Sequence, residues 1–299
     1  MRQPFDPEVA RRRALNAQIF KETTSIIRRG WYTAPSGRRV DLDMEAMDKG
    51  SVCYKKEIPL ASAPVRANSF IQVEPDDCLV VAQDLVSMGY RPVLLNFASA
   101  GHPGGGVERG ARAQEETICR RSTLTRSIYS FDEGYAARYG YPHHEGNNYP
   151  LDNLEYSAIY SPAVTVFREG PECTLMEEPF NVAVITCAAL NLGGRYPLKL
   201  TPEGHMPERA VAITRNKVRT ILRIGLLHGH DAFVLGAFGC GAFHNPPEEM
   251  AAIFHEVLEE PEFKNRIRQV TFAILEDHNS RNANFRAFSR EFDGGKGDA

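Results

Sequence analysis

The sequence predicts an α/β sandwich, with helices on both faces of a central sheet. Three observations predict it. Segments with helical spacing of apolar residues alternate with short apolar runs. The runs RPVLLNF (91–97), DAFVLGAFG (231–239) and QVTFAIL (269–275) are short and densely apolar, as buried strands are. Two of them open into glycine-containing loops that feed helices, and in open α/β sheets ligands sit beyond such strand ends. With 299 residues, 42% hydrophobic and 24% charged, the chain is ordinary globular material and not a disordered one.

The elements follow in order. From Pro7 to Arg29, Val9, Leu15, Ile19, Phe20, Ile26 and Ile27 recur at helical spacing, and Gly30 stops the run. WYTAPSGRRVDL reads as a hairpin about Pro35-Ser36-Gly37. A short helix is expected over 43–49 and an extended piece near Val52–Tyr54. To about residue 70 this is an N-terminal elaboration. Residues 76–88 read as a helix, with Pro75-Asp76-Asp77 at the start and Gly89 at the end. The strand 91–97, a glycine-rich loop (98–106) and a helix over about 111–122 come next. The stretch 129–156 is polar and aromatic without apolar periodicity, and reads as a long, substrate-facing loop. Ser157–Tyr160 and Val164–Phe167 are two short strands, and Asn181–Ala188 is a clearer one. Then come a long amphipathic helix (206–228), the strand 231–239, a helix (246–259), the strand 269–275 and a helix over 279–292. The tail GGKGDA (294–299) reads as a frayed end.

Composition excludes several functions. The 35 Lys and Arg against 38 Asp and Glu give a net charge of −3, so bulk electrostatic binding of nucleic acid is not expected. The six cysteines show no CxxC spacing and lie in apolar segments, as reduced thiols in a cytosolic protein do. The N-terminus carries no apolar run, and no apolar stretch approaches the ~20 residues of a membrane span. The expectation is a soluble, cytoplasmic protein, or a nuclear one in a eukaryote.

Chemistry concentrates in two loops. In the first, Asn96-Phe97-Ala98-Ser99 leads to His102-Pro103-Gly104-Gly105-Gly106. Three bare glycines let a ligand approach the backbone, and their N–H groups suit a phosphate or ribose. A mobile turn explains the triplet equally. Asn96 and Ser99 offer an amide and a hydroxyl to sugar hydroxyls, although Asn96 could equally cap the loop. Soon after come Gln114-Glu115-Glu116. Two adjacent carboxylates repel, which favours a proton on one of them, and glycosidic cleavage needs such an acid. On a regular helix they point about 100° apart and should do different jobs. The plainer alternative is a surface pair favouring the helix dipole.

The second loop runs GAFGCGAFHNPPEE (236–249). Glycines 239 and 241 free N–H groups before a helix, with Asn245 as N-cap and Pro246 at the first helical position. It fits a diphosphate, and Phe243 offers a ring to a ribose or base; a plain strand-to-helix turn is the alternative. Arg109, Arg112, Arg120, Arg121 and Arg126 surround the acidic pair, ready either for a polyanion or as a solvated helix face. His143-His144-Glu145 lacks a third metal-ligand pattern.

GGGVERGARAQEE (104–116), with LLNFASAGHPGGG, GAFGCGAFHNPPEE and YTAPSGRRVDL, resembles the poly(ADP-ribose) glycohydrolases, the bacterial and fungal type in particular. The resemblance runs from about residue 8 to 275. It implies a macrodomain-like three-layer α/β/α sandwich with a mixed sheet: a core over 71–299 and, over 1–70, a helical and hairpin extension packed on it. It implies Glu116 as general acid/base, Glu115 fixing ribose hydroxyls and Gln114 supporting the loop. Asn96 and the loop Gly104, Gly105, Gly106 would hold the ribose at the scissile bond. Gly239, Cys240, Gly241, Ala242 and Phe243 would cradle the diphosphate. Ser99 stands where many binding macrodomains carry Asn.

The implied activity is hydrolysis of ribose–ribose bonds in poly(ADP-ribose), releasing ADP-ribose with no metal or cofactor. Partners would be poly(ADP-ribose), ADP-ribose and ADP-ribosylated proteins, with no membrane and no sequence-specific nucleic acid. The tyrosine-bearing hairpin with which animal enzymes clasp the adenine has no evident counterpart, which favours attack from chain ends. An ADP-ribose reader and a mono-ADP-ribosyl hydrolase are the alternatives; a reader has no need of the two acids.

Overall fold

The computed structural model describes residues 6–59, 65, 68–146, 148–152, 154–193, 198–275 and 283–293. Helix α1 (Pro7–Arg29) begins at Asp6, whose carboxylate accepts from the N–H of Glu8 and Val9, and ends at left-handed Gly30. Val9 and Leu15, expected on its buried face, are exposed. Strands β1 (Trp31–Thr33) and β2 (Arg39–Asp41) pair antiparallel as the expected hairpin. Then follow α2 (Glu45–Gly50), β3 (Val52–Tyr54), β4 (Phe70–Glu74), α3 (Cys78–Ser87) and β5 (Pro92–Phe97). After the first glycine loop a 3-10 turn (Val107–Arg109) precedes α4 (Gln114–Arg121), α5 (Leu124–Tyr129) and α6 (Glu133–Tyr139). The chain continues through β6 (Ala158–Glu169), β7 (Thr174–Cys187), α7 (Glu208–Leu227), β8 (Ala232–Leu235), α8 (Pro247–Leu258), β9 (Gln269–Ala273) and α9 (Ala283–Phe292). The tail 294–299 and the expected helix start at 279–282 lie outside the described residues.

Seven strands form one sheet in the order β3-β6-β7-β5-β8-β9-β4. β5 is parallel to both β7 and β8, β8 to β9, and β9 to β4. Four residues join β6 to β7, a connection so short that it can only return the chain antiparallel. The sheet is therefore mixed.

Two compact units make up the chain. One comprises residues 1–53, 98–150 and 161–181; the other comprises 54–97, 151–160 and 182–299. In the second, side chains alternate across the sheet. Val93, Leu95, Phe233, Leu235, Val270 and Phe272 share one buried cluster with α7, α8 and α9. Gly225 on α7 allows this approach, since a Cβ there would collide with the Phe233 ring. Leu94 and Val234 point to the opposite face, and α3 packs on β5, β8 and β9 there. Helices thus cover both faces, as the alternating pattern predicts. In the first unit α1 packs on the 3-10 turn and α4.

Two expectations change, and one strand had no expectation. The two short strands at 157–160 and 164–167 are one strand, β6, bent at Pro162–Ala163, where Ala163 takes a positive φ of 50°. The stretch 129–156 is no open loop: it contains α6, and Tyr129, Phe131, Tyr141, Tyr149 and Leu151 are buried. Tyr129, Phe131, Tyr141 and Tyr149 belong to the core of the first unit, and Tyr129 packs on Tyr135, Tyr139 and Tyr141. Strand β4, at the sheet edge, carried no clear pattern in the sequence; its Phe70 is 58% exposed. Among the described residues no helix is long and apolar enough to cross a membrane.

Candidate active site

Strands β5 and β8 are parallel neighbours, with Val93 opposite Phe233, so their carboxyl ends point the same way. The first glycine loop follows β5 and the second follows β8.

In the first unit the acidic pair organises the first loop. Glu115 and Glu116 lie in the first turn of α4, where the helix dipole favours negative charge. Neither is a surface residue: they are 3% and 7% exposed. Glu115 spans the loop, accepting from Ser99 N–H at 2.8 Å through Oε2 and from Gly104 N–H at 3.1 Å through Oε1. Glu116 accepts from Gly106 N–H at 2.8 Å through Oε1. Its Oε2 is buried and has no hydrogen-bond partner among the described residues. The two carboxylates thus differ. One is saturated by the loop, and the other keeps an oxygen in reserve.

The glycine triplet is what allows this. Gly104 and Gly105 take φ of 75° and 56°. A Cβ on Gly105 would stand 2.5 Å from Glu116 Oε1 and 2.9 Å from Glu115 Oε2, so only glycine leaves room for the carboxylates. Ser99 Oγ accepts from His102 N–H at 3.3 Å, and Gln114 opens α4.

Two tyrosines were not singled out from the sequence. Tyr149 donates its hydroxyl to the Ser99 carbonyl at 3.3 Å. Tyr129 places its hydroxyl 3.2 Å from the point a Cβ on Gly104 would occupy. Burial pushes the Tyr129 phenol far above its ordinary range, so it stays neutral. The only signal for either was the aromatic density of 129–149.

The arginines divide. Arg120 donates to the Ala111 carbonyl and Arg121 to the Arg168 carbonyl, and both are buried. Arg126 pairs with Asp48 through both nitrogens, at 2.8 and 2.7 Å. These three hold the fold and are not open to a polyanion. Arg109 and Arg112 are exposed. His144 stacks on Phe131, and no group of three or more potential metal ligands occurs among the described residues.

In the second unit Asn96 is fully buried at the end of β5, donating to Thr186 Oγ1 at 3.2 Å. Its Oδ1 has no partner among the described residues. The loop after β8 is folded on itself. Asn245 N–H donates to the Gly239 carbonyl and His244 N–H to the Gly241 carbonyl. Asn245 is not the cap of α8. Pro246 caps and Pro247 is the first helical residue, while the Asn245 amide donates to the Leu190 and Gly239 carbonyls and pins the loop. Gly239 takes φ of 76°, and a Cβ there would strike that amide. The backbone N–H groups of Gly241, Ala242 and Phe243 donate to nothing among the described residues. Gly241 and Ala242 are exposed, and the ring of Phe243 packs on the core cluster. Three consecutive free amides make a nest for an anion. Burial raises the Cys240 thiol, which makes it a poor nucleophile.

This geometry can be set beside known proteins. A family model described as the microbial-type PARG catalytic domain matches residues 20–169. The poly(ADP-ribose) glycohydrolase of Thermomonospora curvata is 34% identical, with a TM-score of 0.78 over 93% of this chain and 99% of that one. The same enzyme bound to the inhibitor ADP-HPD is 32% identical, with a TM-score of 0.74 and the same coverage. The poly(ADP-ribose) glycohydrolase of Deinococcus radiodurans in complex with ADP-ribose is 28% identical, with a TM-score of 0.65 over 85% of this chain and 99% of that one. No curated protein matches the sequence. The fold is macrodomain-like, and the chain belongs to the microbial-type poly(ADP-ribose) glycohydrolases.

Proposed function

We propose that this chain hydrolyses the ribose–ribose O-glycosidic bonds of poly(ADP-ribose), mainly from chain ends, and releases ADP-ribose with Glu116 as the acid and base. One observation carries the reading: Glu116 is fixed through Oε1 by Gly106 N–H while its buried Oε2 is unpartnered. A buried carboxyl oxygen without a partner costs stability, and a site that keeps one has a use for it.

The steps are these. Glu116, protonated at Oε2, gives its proton to the 2′-oxygen of the departing unit as the bond to C1″ breaks. The ribose becomes an oxocarbenium ion, stabilised by the negative diphosphate of its own nucleotide. Water attacks C1″ and Glu116, now a carboxylate, takes its proton. One carboxylate serves both steps, unlike the two-acid plan common among glycosidases. Glu115 holds the loop against the ribose hydroxyls, with Gln114 and Ser99 in support. Asn96 binds ribose through its spare Oδ1, and the amides of Gly241, Ala242 and Phe243 take the diphosphate. The substrates are poly(ADP-ribose) chains on ADP-ribosylated proteins. All six cysteines are free thiols, in keeping with a reducing compartment such as the cytoplasm.

The test is to give the protein poly(ADP-ribose) and, separately, a mono-ADP-ribosylated protein, and to resolve the products by chromatography. Free ADP-ribose from the polymer alone supports the reading. Release from the mono-modified protein alone would make it a mono-ADP-ribosyl hydrolase. Binding of ADP-ribose without release from either would make it a reader.

A further inference from the structure

We propose that Arg109 and Arg112, flanked by Arg13, form a cationic lip beside Glu116 that binds the diphosphate of the polymer unit on the leaving side of the scissile bond. The proposal rests on the glycohydrolase reading above.

The arginines of the first unit are mostly committed. Arg12 pairs with Glu172, Arg126 with Asp48, and Arg138 with Glu108. Arg13, Arg109 and Arg112 are exposed, and none bonds a carboxylate among the described residues. Glu108, the acid next to Arg109 in sequence, is occupied by Arg138 and by the Tyr139 hydroxyl at 2.5 Å. The lip therefore keeps its charge.

Its place is set by two glycines. Arg109 Nη2 and Glu116 Oε1 lie 3.9 and 3.6 Å from the same point, the position of a Cβ on Gly106. The guanidinium thus lies no more than 7.5 Å, the sum of those two distances, from the carboxylate assigned to the chemistry. Ala111 packs 2.9 Å from that point, and Arg112 follows it directly. Gly110 lies so tightly on the backbone of Arg13 that a Cβ would run into the Arg13 carbonyl. Gly110 takes φ of 71°. These contacts place the Arg109 guanidinium, the backbone of Arg13 and the residue before Arg112 on one short stretch, and all three arginines are exposed. Like charges so gathered repel, and a bound anion relieves that repulsion.

The substrate has an anion at the right reach. Six bonds separate the leaving 2′-oxygen from the α-phosphorus of its own nucleotide, roughly 6 Å at ordinary bond lengths. Arginine matches phosphate oxygens in bidentate geometry. A leaving group without phosphate gains nothing from the lip. The arginines would therefore select polymer over other ADP-ribose conjugates.

The experiment compares two substrates: poly(ADP-ribose), and ADP-ribose carrying a nitrophenyl group at C1″, whose leaving group has no phosphate. For each protein the readout is the ratio of kcat/KM on polymer to kcat/KM on the aryl substrate. Arg109→Gln should lower that ratio about fivefold, mainly through KM on polymer, and Arg109→Gln with Arg112→Gln about twentyfold. Arg109→Lys, which keeps the charge, should recover part of the loss. The polymer KM of the double variant should also depend less steeply on salt. A ratio that all the variants leave unchanged would overturn the assignment while the glycohydrolase reading stands. A wild type that turns over neither substrate would sink that reading and this one together.

Discussion

Replacing Gly105 with alanine should leave a folded protein that has lost its chemistry. The new Cβ would stand 2.5 Å from Glu116 Oε1 and 2.9 Å from Glu115 Oε2. A carbon–oxygen contact needs about 3.3 Å, so the Glu116 carboxylate must retreat by roughly 0.8 Å. That takes Oε1 away from Gly106 N–H, now at 2.8 Å, to beyond hydrogen-bond range. The lost bond costs about 1 kcal/mol, and alanine at φ of 56° about 1 more. A total near 2 kcal/mol lowers Tm by only a few degrees in a chain of this size. A misplacement of this order at the reacting group costs about 10²-fold in rate. The assay is kcat for ADP-ribose release, with Tm measured by circular dichroism on the same preparation. Gly110→Ala is the contrast. There the new Cβ meets the Arg13 carbonyl, backbone that cannot swing aside, and Tm should fall well below that of Gly105→Ala. A Gly105→Ala protein with kcat within about threefold of wild type would refute the reasoning, because a displaced Glu116 cannot keep its rate.

Other consequences follow from single contacts. Glu115→Gln turns one acceptor oxygen into an NH₂ facing Ser99 or Gly104 N–H, and should cost about 1–3 kcal/mol in denaturant unfolding together with a fall in kcat. Asn96→Ala removes the spare Oδ1 and should weaken ADP-ribose binding about tenfold by calorimetry, with Tm moved less than by Glu115→Gln. Stability should also depend on His230. Its Nδ1 donates to the Arg91 carbonyl and its Nε2 shares a 2.9 Å hydrogen bond with the Tyr160 hydroxyl, while burial favours the neutral ring. Burial pushes it down to about 4 from 6.5, and between those values the unfolded chain binds more protons. Its contribution is whole above pH 6.5 and lost as pH falls towards 4, up to about 2 kcal/mol. The Tm gap between wild type and His230→Gln should narrow from pH 7 to pH 4.5; a constant gap would show that His230 is not held neutral.

What the sequence revealed, and what it hid, divides along local and non-local physics. The helix that follows Pro75-Asp76-Asp77, Gly30 at the end of α1 and the hairpin at 31–41 depend on neighbours in the chain, and were legible. So was the loop before α4, because a glycine triplet and two adjacent acids are local features. Strand β4 was not legible. Its pairing with β9 joins residues about 200 apart in the chain, Phe70 with Gln269, and its exposed Phe70 broke the alternation. β6 reads as two strands because Pro162 and Ala163 interrupt the pattern, although the strand runs on through the bend. Arginines 109, 112, 120, 121 and 126 look alike in sequence. Only the packing buries two of them against carbonyls, gives one to Asp48 and leaves two exposed. Asn245 looks like a helix cap, but the second proline shifts the helix start by one residue and frees its amide for the loop.

The most direct test of the acid/base assignment is Glu116→Gln. The substitution keeps the shape and the acceptor for Gly106 N–H and removes the proton that Oε2 would carry. Release of ADP-ribose from poly(ADP-ribose) should fall by at least about 10³-fold, with ADP-ribose affinity within a few-fold of wild type. Turnover that survives in this variant would place the acid on another residue and contradict the account.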